Sequence, residues 1–138
     1  MASPPTGPLN LFSLAQRAMS AQLVRMNAAS SNLANAGAVA GSEAEAYRPL
    51  RTFFATELDR ATGLASVRVG GVYQQDTTPL KEHDPDHPLA DAEGNIFVAP
   101  VDENAEMVEM LDASRQYQNL VEALSTAKQL MLDTMRMK

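Results

Sequence analysis

The sequence predicts an α+β fold in which long N- and C-terminal helices pair antiparallel as a coiled coil around a small β-rich central module. Three observations predict it. Apolar positions step alternately three and four residues along both ends of the chain: Phe12, Ala15, Met19, Gln22, Met26, Ala29 and Leu33, then Met107, Met110, Ser114, Tyr117, Val121, Leu124, Lys128, Met131 and Met135. A period near 3.5 places such positions on one seam of a long helix that another helix must cover. The middle of the chain lacks this period and breaks into short aromatic and β-branched runs between Gly and Pro. Finally, 138 residues fit one ordinary domain, so the two ends have each other, or neighbouring subunits, to pack against.

Residues 1–9 contain Pro4, Pro5, Gly7 and Pro8 and are expected to form a mobile tail. Asn10 is a candidate cap for a helix over 10–36, rich in Ala, Leu, Met and Gln, with Asn35 and Gly37 as its stop. About 26 residues give roughly 39 Å of helix. Residues 37–101 are expected to hold a flexible loop and the small β-rich module. In 37–46 the side chains are small and offer little to pack, so an exposed loop is expected. Tyr47 to Leu58 reads as a strand, with Pro49 at an edge or at its start. Ser66 to Gln75 reads as another, and Gly70-Gly71 within it suggests a bulge or sharp bend. Asp84 to Pro88 is a turn-rich connection, Glu93-Gly94-Asn95 a tight turn, and Ile96-Phe97-Val98 a short strand closed by Pro100. Residues 102–138 read as a second helix of about 34 residues, roughly 51 Å, without internal Pro or Gly. Ser114 and Lys128 interrupt its seam; polar residues there lower stability and can fix register, although a Lys can equally snorkel to the edge.

Composition narrows the function. The formal charge is −6 with no Lys/Arg cluster, which argues against nucleic acid or an anionic membrane surface as partner. No acid precedes Glu43, whereas Asp102, Glu103, Glu106, Glu109 and Asp112 crowd the start of the C-terminal helix, where they offset its macrodipole; Arg136 and Lys138 suit its other end. Antiparallel pairing then brings Arg25 near Glu109 or Asp112, Met26 and Leu33 near Met107 and Met110, and Phe12 toward Met131 or Met135. Eight Met with no Trp fit either an ordinary core or a surface that packs against several neighbours. The absence of Cys excludes disulfides, iron–sulfur clusters and thiol catalysis. No segment resembles a cleaved secretory signal or a membrane span, so residence in the cytoplasm or export without a cleaved signal is expected.

Candidate chemistry is sparse. His83, Asp84, Asp86 and His87 form the one cluster of metal-ligand types, but a four-residue His spacing has ligand geometry only on a helix, which Pro85 and Pro88 oppose. A solvated loop is the better reading. Asp91 to Asn95 superficially resembles a calcium loop, with glycine at the wrong position. Phosphate-loop, nucleophile-elbow and helical zinc motifs do not occur. Asn32 and Asn35 stand at the end of an apolar-seamed helix, where an amide can cap exposed carbonyls or bridge to another backbone.

The run Ala21 to Ala36, with its Asn32-Leu33-Ala34-Asn35 core, resembles the N-terminal signature of bacterial flagellar rod and hook proteins. Glu106-Met107 through Ser114-Arg115-Gln116-Tyr117-Gln118 and Ala127-Lys128 are similar to that family's matching terminal helix. Tyr47-Arg48-Pro49-Leu50, Val69-Gly70-Gly71-Val72, Pro88 to Asn95 and the short length are similar to its proximal rod members. One departure is notable: a small-residue stretch and Ala46-Tyr47-Arg48 replace the Thr-x-Gly-Tyr that follows the core in most paralogues, as in the proximal rod. The resemblance implies a structural, non-enzymatic subunit of the periplasmic rod that transmits torque and uses no cofactor and no metal. It also implies export through the flagellar type III apparatus, with other proximal rod proteins, copies of itself and the distal rod as partners. The assembly interface is then expected on the helical seams, at Phe12, Met19, Met26, Asn32, Leu33, Asn35, Met107, Met110, Tyr117, Val121, Leu124, Met131 and Met135. Two rival readings are a small metal-dependent hydrolase using His83, Asp84, Asp86, His87 and Asp91, and a cytoplasmic helical adaptor.

Overall fold

The computed structural model describes residues 8–60 and 63–137. Two helices, α1 (Pro8–Ala34) and α2 (Glu103–Arg136), carry the ends, and five strands lie between them: β1 (Val39–Ala40), β2 (Leu50–Asp59), β3 (Leu64–Gln74), β4 (Leu80–His83) and β5 (Asn95–Val98). The expected mobile tail falls mostly on residues 1–7, outside the described residues, as does Lys138. Helix α1 opens at Pro8, a favourable first helical position because its missing N–H would have no partner there. Asn10 is therefore inside the helix and does not cap it.

The helices pack antiparallel, as expected. Arg25 near the C-terminal part of α1 bonds Glu109 and Asp112 near the start of α2, while Leu11 lines an apolar groove with Leu130, Met131 and Met135 at the far end. Helix α1 stops where Gly37 adopts φ +79°, and the Asn35 side-chain amide donates to the Ser31 carbonyl at 2.9 Å. Asp102 caps α2, accepting from the backbone N–H groups of Asn104 and Ala105.

The period of the α2 seam is as expected and its phase is corrected. The seam of buried and half-buried positions runs Glu106, Met110, Ala113, Tyr117, Leu120, Leu124, Ala127 and Met131, with Glu109, Ser114 and Leu132 half-buried beside it. Every second position is thus one residue earlier than expected: Met107, Val121 and Met135 are exposed, and Lys128 is exposed too. Small residues explain the shift. Ala113 is completely buried, and Ala21, Ala28 and Ala29 of α1 are also buried, so the core of this helix pair is made of alanines that permit close approach. Helix α1 is covered more widely because the β2–β3 hairpin also packs on it. Phe12, Met19, Met26 and Leu33 are half-buried, alongside a second row through Ala18, Ala21, Arg25, Ala28 and Asn32.

The central module holds two sheets. β2 and β3 form an antiparallel ribbon of ten and eleven residues whose register runs from Leu50↔Gln74 to Asp59↔Leu64. Its register shifts between Phe53↔Gly71 and Phe54↔Val69, leaving Gly70 as the extra residue of the bulge that the glycine pair suggested. The second sheet has the order β1-β5-β4, all antiparallel. The 37–46 segment is therefore more than an exposed loop: Val39 and Ala40 pair with Val98 and Phe97, and Ala46 is buried. β4 was not expected, because all four of its side chains are exposed and no hydropathy alternation marks it.

Candidate functional site: the junction of the helices and the hairpin

The chemistry of this molecule concentrates where the end of α1, the base of the hairpin and the start of α2 meet. Asn32 sits at the centre with no exposed surface. Its Nδ2 donates to the Leu50 carbonyl at 2.9 Å, and its Oδ1 accepts from the Leu50 N–H at 2.7 Å and from the Tyr47 hydroxyl at 2.7 Å. The amide thus bonds Leu50 as a neighbouring strand would, and the direction of both backbone bonds fixes which end of the amide is oxygen. Ser31 Oγ lies 3.2 Å from the same hydroxyl. Of the two roles open to the asparagines, Asn35 caps a carbonyl and Asn32 bridges to another backbone.

Arg51, the next residue of β2, reaches the opposite way, pairing with Glu106 Oε1 on α2 and donating from Nε to Gln75 Oε1 at 3.0 Å. Glu106 is 1 % exposed, and its Oε2 has no hydrogen-bond partner among the described residues. Sequence reasoning placed Glu106 among the acids that offset the helix dipole. Its place on the seam, in phase with Met110, Tyr117 and Leu124, was the available signal for a special role.

One turn away, Arg25 Nη2 lies 2.7 Å from Glu109 and 3.0 Å from Asp112, and Nη1 donates to Gln22 at 2.8 Å. Burial by itself lowers the pKa of the Arg25 guanidinium, but the hydrogen bonds and charges of Glu109 and Asp112 outweigh it and raise the pKa above its ordinary value.

The loop considered for metal chemistry lies elsewhere, at the β4–β5 connection. Asp91 Oδ1 accepts from the Glu93 and Asn95 N–H groups, His87 Nδ1 accepts from the Leu89 N–H, and His83 Nδ1 is 3.3 Å from Asn95 Oδ1. The Asp91 and His87 bonds are the local bonds of tight turns, and His83 meets Asn95 as its cross-strand partner between β4 and β5. Among the described residues, no three His, Asp or Glu side chains converge closely enough to hold a metal ion, and no helix is long and apolar enough to cross a membrane.

Comparison with known proteins assigns the architecture. Residues 12–41 match the model of the flagella basal body rod protein family. Residues 96–137 match that of the flagellar basal body rod FlgEFG protein C-terminal region. The flagellar basal-body rod protein FlgC of Salmonella typhimurium is 40 % identical over 129 residues, which is 92 % of this chain and 95 % of the relative. The chain belongs to the FlgC family. FlgC of Escherichia coli O6:H1 is 39 % identical over 127 residues, and that of Buchnera aphidicola subsp. Acyrthosiphon pisum is 32 % identical over 130, each across 92 % of this chain and 95 % of the relative. The two family-model matches fall on the regions that form the junction. The rod-family match contains Arg25, Asn32 and Asn35, and the C-terminal match contains Glu106, Glu109 and Asp112. Membership of the FlgC family rests on the similarity over 92 % of the chain, which also takes in the base of the hairpin.

Proposed function

We propose that this chain is a structural subunit of the flagellar rod, in its proximal part, and that it acts by helix-to-helix packing and not by catalysis. The observation that carries this reading is the near-full-length similarity to FlgC proteins. The physical build is consistent with it. Met107, Val108, Leu111 and Leu130 on α2 are each more than half exposed, so the helix pair leaves apolar side chains for further contacts. The assembly interface runs along the terminal helices. It includes the expected residues Phe12, Met19, Met26, Leu33, Met110, Tyr117, Leu124 and Met131, which also serve the intrachain packing, and the outward Met107, Val121 and Met135. Asn32 and Asn35 act inside the subunit by fixing the end of α1. The partners are other proximal rod proteins, copies of this chain and the distal rod. The subunit reaches the periplasm through the type III export apparatus without a cleaved signal, and there transmits torque.

The test is genetic and biochemical together. Basal bodies isolated from the motile organism should contain the chain, and a strain lacking it should be non-motile until the gene is restored. Absence of the chain from intact basal bodies, or normal swimming without it, would overturn the reading.

A further inference from the structure

The hairpin is fastened to the rest of the molecule unevenly. Among the described residues, polar contacts hold it to α1 at two places: Asn32 clasps Leu50 at the base, and Arg17 donates to Ser66 Oγ at 3.1 Å nearer the tip. Both attachment points lie on one helix, so they define a line along α1 about which a two-stranded ribbon can roll. Helix α2 could stop that roll, but among the described residues no Cα of β2 or β3 comes within 8 Å of a Cα of α2. Between them lies a cavity of about 290 Å³, lined by Ala28, Ala29, Leu50, Arg51, Ala105 and Glu106. The Arg51–Glu106 ion pair crosses this gap and is the polar link between hairpin and α2 among the described residues.

Glu106 has a local cost that this link explains. It occupies a seam position where its neighbours in phase are Met110, Ala113 and Tyr117, it is almost completely buried, and among the described residues no protein group donates to one of its carboxylate oxygens. An ion pair with a buried carboxylate is a poor source of stability; an apolar residue of similar volume often does as well or better. Orientation is what the pair supplies that Leu would not, because it ties a chosen side of β2 to a chosen turn of α2.

We propose that Glu106 and Arg51 are positioning residues that set the roll angle of the β2–β3 hairpin on the helix pair, and with it the angle at which the hairpin meets neighbouring subunits. The second half of this statement rests on the rod-subunit reading; the first does not. The residues act through the hairpin and carry no chemistry of their own.

The chain has no cysteine, so spin labels can be introduced at the exposed Thr56 on β2 and Gln118 on α2 of the full-length protein without competing sites. Double electron–electron resonance on the otherwise unchanged chain should give one narrow distance distribution. Glu106→Leu should broaden it roughly twofold or more, as the ribbon samples several roll angles, while helix content and thermal midpoint stay level or rise. Arg51→Met alone would leave the buried Glu106 carboxylate without its cation and should lower the thermal midpoint; combined with Glu106→Leu it removes both charges, repeats the measurement from the hairpin side, and should broaden the distribution as Glu106→Leu alone does. An unchanged distribution in a folded variant overturns the positioning role. Swimming and basal-body content of the unlabelled variants test the second half: reduced incorporation beside an intact fold supports it, and normal swimming with a broadened hairpin overturns it. Absence of the unaltered chain from basal bodies would instead overturn the rod reading, leaving the resonance result standing.

Discussion

Asn32 shows how a single buried amide substitutes for a strand. Its side chain satisfies both backbone groups of Leu50 and the Tyr47 hydroxyl at once, so Asn32→Ala should lose three hydrogen bonds and orphan both Leu50 groups, while the Tyr47 hydroxyl keeps Ser31. At about 1 kcal/mol for each lost bond, and more where the orphan stays buried, urea denaturation should show a loss of roughly 3 kcal/mol, against almost none for Ala at the exposed Asn27. Arg25 makes a different kind of contact. Its carboxylate partners are 42 % and 51 % exposed, so solvent screening limits each pair to about 0–1 kcal/mol and its main effect is on register. Arg25→Glu should slightly lower the thermal midpoint, and Glu109→Arg should recover part of the loss; no change in either variant would remove the pair from the account. The pH dependence has a definite sign. A raised folded-state pKa makes the contribution complete below the unfolded value and lost only as pH climbs through the folded one; the unfolded value is the ordinary arginine one and the folded value lies above it, both far above neutral pH. The Arg25 contribution should therefore be flat across neutral pH when unfolding is followed by denaturant.

At the scale of elements, α2 illustrates what a hydropathy pattern reads and what it misreads. The 3.5 period was legible, but a seam begun at Met107 places Val121 on it and Leu120 off it, and puts the Glu106 carboxylate among the acids of the first turn. Two tertiary facts shift that seam. The helices come close enough for Ala113, fully buried, to be favoured over a longer side chain, and Arg51 arrives from the hairpin to neutralise Glu106. Ala113→Leu should consequently destabilise the pair by about 1–3 kcal/mol through overpacking, read as a drop in thermal midpoint by circular dichroism. The same substitution at the exposed Ala123 should have little effect. The hairpin was legible as two strands and a glycine bulge, because β-branched residues and Gly70-Gly71 are local signals. β4 was not, because an edge strand with four exposed side chains depends on hydrogen bonds to β5 and on little in its own sequence.

For the whole molecule, the rod reading and the hydrolase alternative put the essential surface in different places. Leu33→Asp or Leu124→Asp places a carboxylate on a half-buried helical position where desolvation opposes packing. Each should abolish swimming by preventing assembly. Replacing His83 and His87 together with Ala should leave swimming intact, since among the described residues those side chains bond only within the β4–β5 hairpin. A motile Leu33→Asp, Leu124→Asp double variant beside a non-motile but normally assembled histidine variant would reverse the assignment.

By itself the sequence determined the two helices, their period, the stop of the first at Gly37 and the start of the second at Asp102, their antiparallel direction and the Arg25 contacts. Each of these follows from local propensity, capping chemistry or the placement of charge along the chain. The phase of the α2 seam, the bridge from Asn32 to Leu50, the pairing of Val39 and Ala40 with β5, and the Arg51–Glu106 link were decided only by the tertiary structure. The physical reason is common to all four. Each pairs a polar or small residue with a partner far away in sequence, and whether such a residue is favourable in a buried place depends on that partner's arrival, which neither periodicity nor hydropathy encodes.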